Sequence, residues 1–519
     1  MGVMSESELV AQLMEQAQSG HQDDVLVRTE ALLRRATGDL TDGPAGLHFP
    51  RVVCLLWQAK PHEAIAAADM MLAAAVRDGR PGWRACALAV RAVERITIGD
   101  EDHLQHDPDA VMRDMVAAEV ALEQGTEDLI EACNAHATIG VGYEALRLYE
   151  LAEPHYEAAH AISLDVPRGA ANPMLWSSNL AQLNLKWALE LYRVGQQAPA
   201  EKHSLRSGDY AALAVAEATP GSDPVRTTIA RLLLACSRAT CPGGDGVVAD
   251  IQERMQELRD AELPQLTFLP MPFLALALDR CGRSDEALTT IERAAAEVTN
   301  DVEWLCAAAI AHSHAVLLAQ RGLPGAATAL RYGDVLAQAL WRERLRTLNA
   351  ARTLRAFERL QDEHEKVART AATDPLTGLA NRRGFDLALR SLQEGPDQQV
   401  AVLVLDLDEF KGINDAHGHA AGDQVLRQVA GVLSEEVSRT GTVARLGGDE
   451  FAAVLPRAPL TVAERVAELI VQAVLVPATV SVGVAVSPTS QLLQALAQAD
   501  AAMYVAKRDG GGRVALAPA

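Results

Sequence analysis

The spacing of apolar residues in this chain changes at Asp374-Pro375, and this change constrains the fold more than any other feature. From about residue 5 to residue 340, apolar residues recur at helical spacing, and segments rich in Gly and Pro interrupt them. After Asp374-Pro375, short apolar runs alternate with helical segments, and 400–405 is the continuous run Val-Ala-Val-Leu-Val-Leu. The sequence therefore predicts a multidomain chain in which an all-α N-terminal region precedes an α+β domain.

Several N-terminal segments have the form of a helix, a tight turn and a second helix. Examples are 143–156, 274–288 and 315–327. They resemble tetratricopeptide-type helical hairpins, whose unit of ~34 residues repeats along a solenoid. No strict period spans the region, so an irregular helical bundle without a ligand is the alternative. We predict a tetratricopeptide-like sensor or interaction domain over residues 1–340, and no motif identifies its protein, peptide or small-molecule partner.

Residues 341–372 have the pattern of one long linker helix. Apolar residues three or four positions apart form a heptad-like seam around the polar His364: Leu345, Leu348, Leu354, Phe357, Leu360, Val367 and Ala371. Such a seam can pair two chains as a coiled coil. The alternative is an ordinary amphipathic helix that lies on the N-terminal domain.

Composition argues against some partners and locations. The formal net charge of −22 at pH 7 disfavours binding to nucleic acid and to anionic membranes, so we predict neither partner. The seven cysteines show no CxxC spacing, as expected of reduced thiols in the cytoplasm. No apolar run approaches the ~18 residues of a membrane span, and residues 1–8 lack a signal-peptide pattern. We therefore expect a cytoplasmic protein.

Two carboxylates follow the strand predicted at 400–405. Asp406 and Asp408 are two residues apart, so in an extended strand they would lie on the same face. Carboxylate oxygens at a strand end can hold a hard cation. Asp408 could instead cap the helix that follows.

A second acidic pair lies in a predicted hairpin between strands 443–446 and 451–455. Gly447 and Gly448 form the turn, and Asp449 and Glu450 follow it. Asp449 could share a metal with the end of the 400–405 strand if the two strands are neighbours. By itself, a Gly-Asp pair is also common at a solvated hairpin tip.

Polar residues suited to a nucleotide follow Asp406. Lys411 and Asn414 are three residues apart and can share one helical face, where the lysine could bind phosphate. Asn414 and Asp423 together can satisfy the donors and acceptors of a guanine edge. Each residue alone has a surface or capping alternative, but the set predicts a nucleoside triphosphate site.

Five segments in order resemble the GGDEF family of diguanylate cyclases over residues 373–519. They are 374–383, 406–423, 445–451, 481–484 and 500–507. The resemblance implies a fold similar to the polymerase palm and to class III nucleotidyl cyclases. It also implies that two GTP condense into cyclic di-GMP with release of pyrophosphate.

The resemblance implies roles for individual residues. Asp406, the main-chain carbonyl of Leu407 and Asp449 would bind Mg²⁺, for which Mn²⁺ could substitute. Asp449 would also be the catalytic base, Lys411 would stabilise phosphate charge, and Glu450 would orient the hairpin. The implied substrate contacts are Asn414, His419, Asp423, Gly447 and Lys507.

One such domain binds one GTP, so the resemblance implies a two-fold dimer for catalysis. We expect the helical domain to control this dimer through the linker helix. The alternative is a catalytically weak GGDEF scaffold that binds GTP or a partner protein.

The sequence departs from the family pattern at two places. Ser438 and Gly441 stand where many members carry an inhibitory Arg-x-x-Asp, and Arg439 is out of register, so we expect no product-inhibition site. Gly511 stands where a phosphate-contacting arginine is expected, and Arg513 is a candidate replacement.

Overall fold

The computed structural model describes residues 5–18, 20–37, 43–101, 107–166, 171–219, 223–240, 245–299, 302–437, 441–474 and 478–518. The chain divides into two compact units, Met1–Arg359 and Leu360–Ala519, which we call the helical unit and the C-terminal unit. Ser438 and Arg439, on which the expected absence of a product-inhibition site partly rests, lie outside the described residues.

The described part of the helical unit is built from helices, which confirms the predicted all-α N-terminal region. A short 3-10 helix, Pro264–Thr267, precedes the thirteenth α-helix. The α-helices up to the linker are α1 (Glu6–Gln18), α2 (Gln22–Thr37), α3 (Ala45–Trp57), α4 (Pro61–Asp78), α5 (Pro81–Glu101), α6 (Pro108–Leu122), α7 (Leu129–Ala145), α8 (Tyr149–Asp165), α9 (Pro173–Arg193), α10 (Gln197–Glu217), α11 (Pro224–Arg238), α12 (Asp245–Asp260), α13 (Met271–Arg280), α14 (Ser284–Glu297) and α15 (Trp304–Gln320).

Helices that follow one another in the chain pack side by side, as α7 and α8 or α9 and α10 do. Many buried positions are Ala or Leu, residues that favour helix formation and, in the case of Ala, allow close packing. The apolar side chains form two main clusters, one centred on α3 to α8 and the other on α11 to α15. The tetratricopeptide-type repeat stays a prediction.

Helix α16 (Ala326–Ala371) begins fifteen residues before the linker helix expected at 341. Leu348 and Ala351 are buried in the core of the helical unit, and Leu354 packs against it. The amphipathic alternative therefore describes this stretch of the helix. By contrast, Phe357 is 53% exposed and Val367 is 67% exposed, so the last turns present apolar side chains to solvent.

In the C-terminal unit, strands and helices alternate, which confirms the predicted α+β domain. Its described elements are β1 (Ala380–Asn381), α17 (Arg382–Glu394), β2 (Gln399–Leu407), α18 (Phe410–His417), α19 (His419–Val437), β3 (Thr442–Gly447), β4 (Glu450–Pro456), α20 (Leu460–Ala473), β5 (Val480–Pro488), a 3-10 helix (Thr489–Gln491), α21 (Leu492–Arg508) and β6 (Val514–Leu516).

Within the described residues, the six strands form one sheet in the order β1-β3-β4-β2-β5-β6. The pairs β1–β3 and β5–β6 are parallel, and the other three are antiparallel. Strand β2 is buried on both faces: alternate residues contact α19 and α20 on one side and α17 and α21 on the other. Its continuous apolar run follows from this double burial.

No helix in the described ranges combines the length and the apolarity needed to cross a membrane.

Candidate active site

Asp406 lies near the carboxyl end of the central strand β2. Its side chain lies on the same face of the sheet as those of Val402 and Val404, which pack against α21. Its carboxylate forms an ion pair with Lys507 near the end of that helix. Burial raises the pKa of Asp406 above its ordinary value, although the Lys507 ammonium opposes this rise. Strand β2 thus places a poorly hydrated carboxylate at this end of the sheet, where the Lys507 ammonium partly balances its charge.

The hairpin between β3 and β4 brings two more carboxylates to this edge. Glu450 is directly opposite Asp406 in the antiparallel pairing, and the Leu407 N–H donates to the Asp449 carbonyl at 3.3 Å. Gly448 has φ +55°, a left-handed conformation that favours glycine in this turn. The negative charges of Asp449 and Glu450 act in the same direction as burial and raise the pKa of Asp406. The structure therefore brings the predicted metal-binding carboxylates together.

These donors fit a hard divalent cation. In the described ranges, no three or more His, Cys, Asp or Glu side chains form a metal-binding cluster. The set implied by the family resemblance needs only two carboxylates and the Leu407 carbonyl, all of which are oxygen donors of the kind that Mg²⁺ prefers. A cation beside Asp406 and Asp449 would also relieve the repulsion that raises the pKa of Asp406.

Asp408 has a structural role instead of a capping one. Its carboxylate accepts hydrogen bonds from Thr479 Oγ1 at 2.8 Å, Ser481 Oγ at 2.7 Å and the Gly512 N–H at 2.8 Å. The N-cap of α18 is Glu409, which makes no side-chain capping bond. The capping alternative is therefore wrong, because the nearby β5 and C-terminal loop supply stronger partners.

The predicted nucleotide residues lie on α18 and α19, which meet at a tight turn. Asn414 and Asp423 are half-buried, whereas Lys411 and His419 are exposed. A Cβ placed on Gly422 would lie 2.1 Å from the Asn414 side-chain oxygen, so this glycine makes room for Asn414 immediately before Asp423. The two predicted guanine-reading residues are thus neighbours across the turn.

Two residues that sequence reasoning did not single out hold the hairpin in place. Arg445 donates to the Gly448 carbonyl at 2.8 and 3.0 Å and to the Asp374 carboxylate at 3.2 and 3.3 Å. Asp374 also accepts from the N–H and hydroxyl of Thr377 at 2.9 and 2.7 Å. Burial alone would raise the pKa of Asp374, but the bonds from Thr377 and Arg445 outweigh it and keep the pKa low.

The departures from the family pattern have local structural explanations. Gly511 has φ +71°, and a Cβ there would lie 2.9 Å from the Asp408 carboxyl carbon. The exposed Arg513 donates through Nε to the Gly511 carbonyl at 3.3 Å. A Cβ at Gly441 would lie 2.1 Å from the Val454 carbonyl oxygen, which leaves no room for the inhibitory aspartate. The absence of a product-inhibition site stays a prediction with this support.

Comparisons with known proteins point to one family. The model of the diguanylate cyclase GGDEF domain matches residues 371–513. Diguanylate cyclase TpbB of Pseudomonas aeruginosa strain UCBPP-PA14 is 42% identical over 175 residues, 31% of this chain and 40% of TpbB. The 19.3 kDa protein of the repSA 5′ region of Streptomyces ambofaciens is 42% identical over 147 residues, 27% of this chain and 79% of that protein.

A solved structure shares the same region. The crystal structure of the coiled coil and GGDEF domain of DgcB from Caulobacter crescentus, in complex with c-di-GMP, is 36% identical to this chain. It covers 33% of this chain and 97% of the crystallised one, with a TM-score of 0.30. The matched residues contain the Asp406 strand and the Asp449 hairpin, as the sequence predicted, and the chain belongs to the GGDEF family.

Proposed function

We propose that this protein is a diguanylate cyclase that condenses two GTP molecules into cyclic di-GMP. The observation that carries the proposal is the contact between strand β2 and the hairpin, which sets the buried Asp406 beside Asp449. Each ribose 3′-oxygen attacks the α-phosphorus of the other GTP. The bond to pyrophosphate breaks each time, so two pyrophosphates leave.

The residues at the sheet edge divide the work of phosphoryl transfer. Asp406, the Leu407 carbonyl and Asp449 would hold Mg²⁺ or Mn²⁺, which neutralises phosphate charge when bound. Asp449 accepts the proton of the attacking hydroxyl, and Glu450 orients the hairpin. Lys411, exposed on α18, stabilises the charge that develops on the departing pyrophosphate.

Guanine recognition falls to the turn between α18 and α19. Asn414 and Asp423 flank Gly422, where an amide and a carboxylate can pair with the guanine edge. A carboxylate accepts from the guanine N–H donors and repels the ring acceptor of adenine. His419, Gly447 and Lys507 complete the proposed substrate contacts, and Lys507 exchanges its bond with Asp406 for one with a phosphate.

Catalysis and its control both involve two copies of the chain. Each domain binds one GTP, so a two-fold dimer must bring two sites face to face. The exposed Phe357, Leu360 and Val367 of α16 are spaced three and seven residues apart, as in a coiled-coil seam. We propose residues 1–340 as the sensor, 341–372 as the pairing linker and 373–519 as the cyclase, which acts on the cytoplasmic GTP pool.

The test is GTP turnover by the full-length chain across protein concentrations in Mg²⁺. We expect cyclic di-GMP by mass, with a rate per chain that rises as the dimer forms. Asp449→Asn should abolish product, whereas Asp415→Asn, which removes an exposed carboxylate of neighbouring α18, should leave it unchanged. A dimeric, folded wild type that makes no more product than Asp449→Asn would refute the proposal.

A non-enzymatic scaffold is the second candidate, and Gly511 favours it. This glycine replaces the expected phosphate-contacting arginine, and Arg513 is bound to its own loop. Under this alternative, the dimer binds GTP without turnover. Calorimetric GTP binding with no pyrophosphate release would support it.

A further inference from the structure

A cavity of about 280 Å³ lies within the helical unit, between α9, α13 and α15. Apolar side chains make up the larger part of its surface, and polar ones such as Gln197 and Ser313 line the rest. Five of the apolar side chains are Leu189, Phe273, Leu276, Val316 and Leu317. A pocket of this kind takes the hydrocarbon part of a small ligand and leaves orientation to a few polar groups.

Arg193 is a half-buried cation in the lining of this cavity. It forms no ion pair with any carboxylate in the described ranges, and its guanidinium lies 5.8 Å from the centre of the Trp304 ring. The nearby Glu190 is already bound by Arg147 and by the Tyr149 hydroxyl. Burial lowers the pKa of the Arg193 guanidinium, and the attraction of Glu190 offsets this only in part.

The other charged groups of the lining already have partners. Arg280 donates to the carbonyls of Ala239 and Thr240, and Asp279 accepts from Ser284 Oγ at 2.7 Å. They add little net charge to the cavity.

His312 lies at the same rim, and its Nε2 is 3.7 Å from the carboxylate of Asp334 on α16. Burial lowers the pKa of His312, and Arg193 lowers it further against the pull of Asp334, so the ring is neutral at pH 7. It can therefore take part in a hydrogen bond without adding charge.

We propose that this cavity binds a small organic monocarboxylate, with its carboxylate on Arg193 and its apolar body against the five apolar side chains. The planar guanidinium matches a carboxylate through two parallel hydrogen bonds. One unpaired cation selects a monoanion, and a polyanionic nucleotide would lack counter-charges here. The apolar lining favours a hydrocarbon body over a sugar.

The test measures binding of the probe octanoate to the full-length protein by titration calorimetry. Octan-1-ol and octylamine have the same chain length with a neutral and a cationic head group. We expect one octanoate site per chain and at least about tenfold weaker binding of octan-1-ol, because the alcohol forms no charge-assisted pair of hydrogen bonds with Arg193. Octylamine should not bind.

Two variants locate the site. Arg193→Gln should weaken octanoate binding at least about tenfold towards the octan-1-ol value, and Val316→Phe, which fills the cavity, should abolish binding of both. Arg293→Gln is the matched control, because Arg293 is an exposed arginine of the same unit outside the cavity. Arg193→Lys keeps the charge but not the planar guanidinium, so it should bind octanoate more weakly than the wild type does. It serves as the test if Arg193→Gln fails to fold.

Equal affinity for octanoate and octan-1-ol, or no octanoate binding at millimolar concentration, would overturn the proposal. So would unchanged binding by a folded Arg193→Gln variant. Because the readout is binding to the helical unit, the result does not depend on cyclase activity.

Discussion

The two units of this chain use buried charge in opposite ways. In the helical unit, buried ions neutralise one another: Lys186 lies 2.9 Å from Glu144 and 3.0 Å from Glu303. Arg344 is bound in the same manner to Glu150. Such pairs fix helix packing, because each charge finds its partner within the fold.

In the C-terminal unit, carboxylates of like charge are brought together at the sheet edge. Asp406 lies beside Asp449 and Glu450, and Lys507 offers one ammonium to three negative charges. A fold selected only for stability would avoid this arrangement. Paired buried charge therefore marks structure, whereas a cluster of like charge marks a site that is completed by a cation.

The largest expected effect comes from Asp406→Asn. It should reduce cyclic di-GMP synthesis roughly 10³-fold, because a metal ligand for phosphoryl transfer is lost. The same change should not lower the unfolding temperature without metal, since burial raises the pKa of Asp406 and its ionised form disfavours the folded state at pH 7. Turnover assays check the expected loss of activity, and thermal unfolding checks the expected stability.

Asp386→Asn, at an exposed carboxylate of α17, is the control and should change neither property. If Asp406→Asn lowered the unfolding temperature enough to explain the loss of activity, Asp406 would be a structural residue like the paired ions of the helical unit.

Arg344→Gln should have the opposite outcome. The Arg344 side chain is 1% exposed, and its guanidinium lies 4.4 Å from the Trp341 ring and 5.1 Å from the Tyr149 ring. Removing it leaves Glu150 without its cation, which should cost about 3 kcal/mol of stability in the helical unit. Denaturant unfolding followed by tryptophan fluorescence measures this.

Arg346→Gln is the matched control on the same helix, because that side chain is 78% exposed and its ion pair should be worth little. Equal destabilisation by both substitutions would contradict the structural role of the buried pair.

The fold and the main acidic residues of the site were predictable because their signals are local. The run at 400–405 and the hairpin around Gly447-Gly448 became β2 and the β3–β4 turn, with bounds within a few residues. Helix α17 was not predicted, because it follows a turn-rich segment. Helix α18 was expected after Asp408, but its bounds were not predicted, because it is only eight residues long.

Long-range partners could not be predicted from one sequence. No local sequence pattern predicts the contact between Asp374 and Arg445, which are 71 residues apart. The same is true of the hydrogen bonds that the Asp408 carboxylate accepts from Thr479 and Ser481. These contacts arise only once the sheet order is known. The linker likewise began earlier than expected, because helical periodicity does not show where one packing surface ends and the next begins.

Glu94 is an exception in the helical unit and sharpens the comparison. It is 4% exposed on α5 and forms no ion pair within the described ranges, and burial raises its pKa to about 7. The protonated Glu94 carboxyl contributes to the free energy of unfolding. This contribution is fully present below the unfolded pKa near 4.5 and is lost as the pH rises through the folded pKa of about 7. Between pH 5 and pH 8, the free energy of unfolding of the wild-type helical unit should therefore fall by about 2 kcal/mol, and the Glu94→Gln variant should not show this fall.

Unfolding measured at both pH values checks this, with Glu63→Gln as a control whose pH dependence should match the wild type. If Glu94→Gln and the wild type change equally between pH 5 and pH 8, the carboxyl has a partner or water that the burial argument omits.

The smallest effect concerns the ion pair between Asp374 and Arg445 beside the hairpin. Because both side chains are mostly buried, with Arg445 at 14% and Asp374 at 17% exposure, a double-mutant cycle of Asp374→Asn and Arg445→Gln should give a coupling of about 1 kcal/mol. Arg445→Gln should also lower turnover more than Asp374→Asn, since only Arg445 binds the Gly448 carbonyl and orients Asp449. Equal losses of turnover would mean that the ion pair, and not the arginine's bond to the turn, positions the hairpin. Coupling near zero would place this pair with the exposed surface ion pairs, and the contrast between the units would then rest on the like-charged cluster alone.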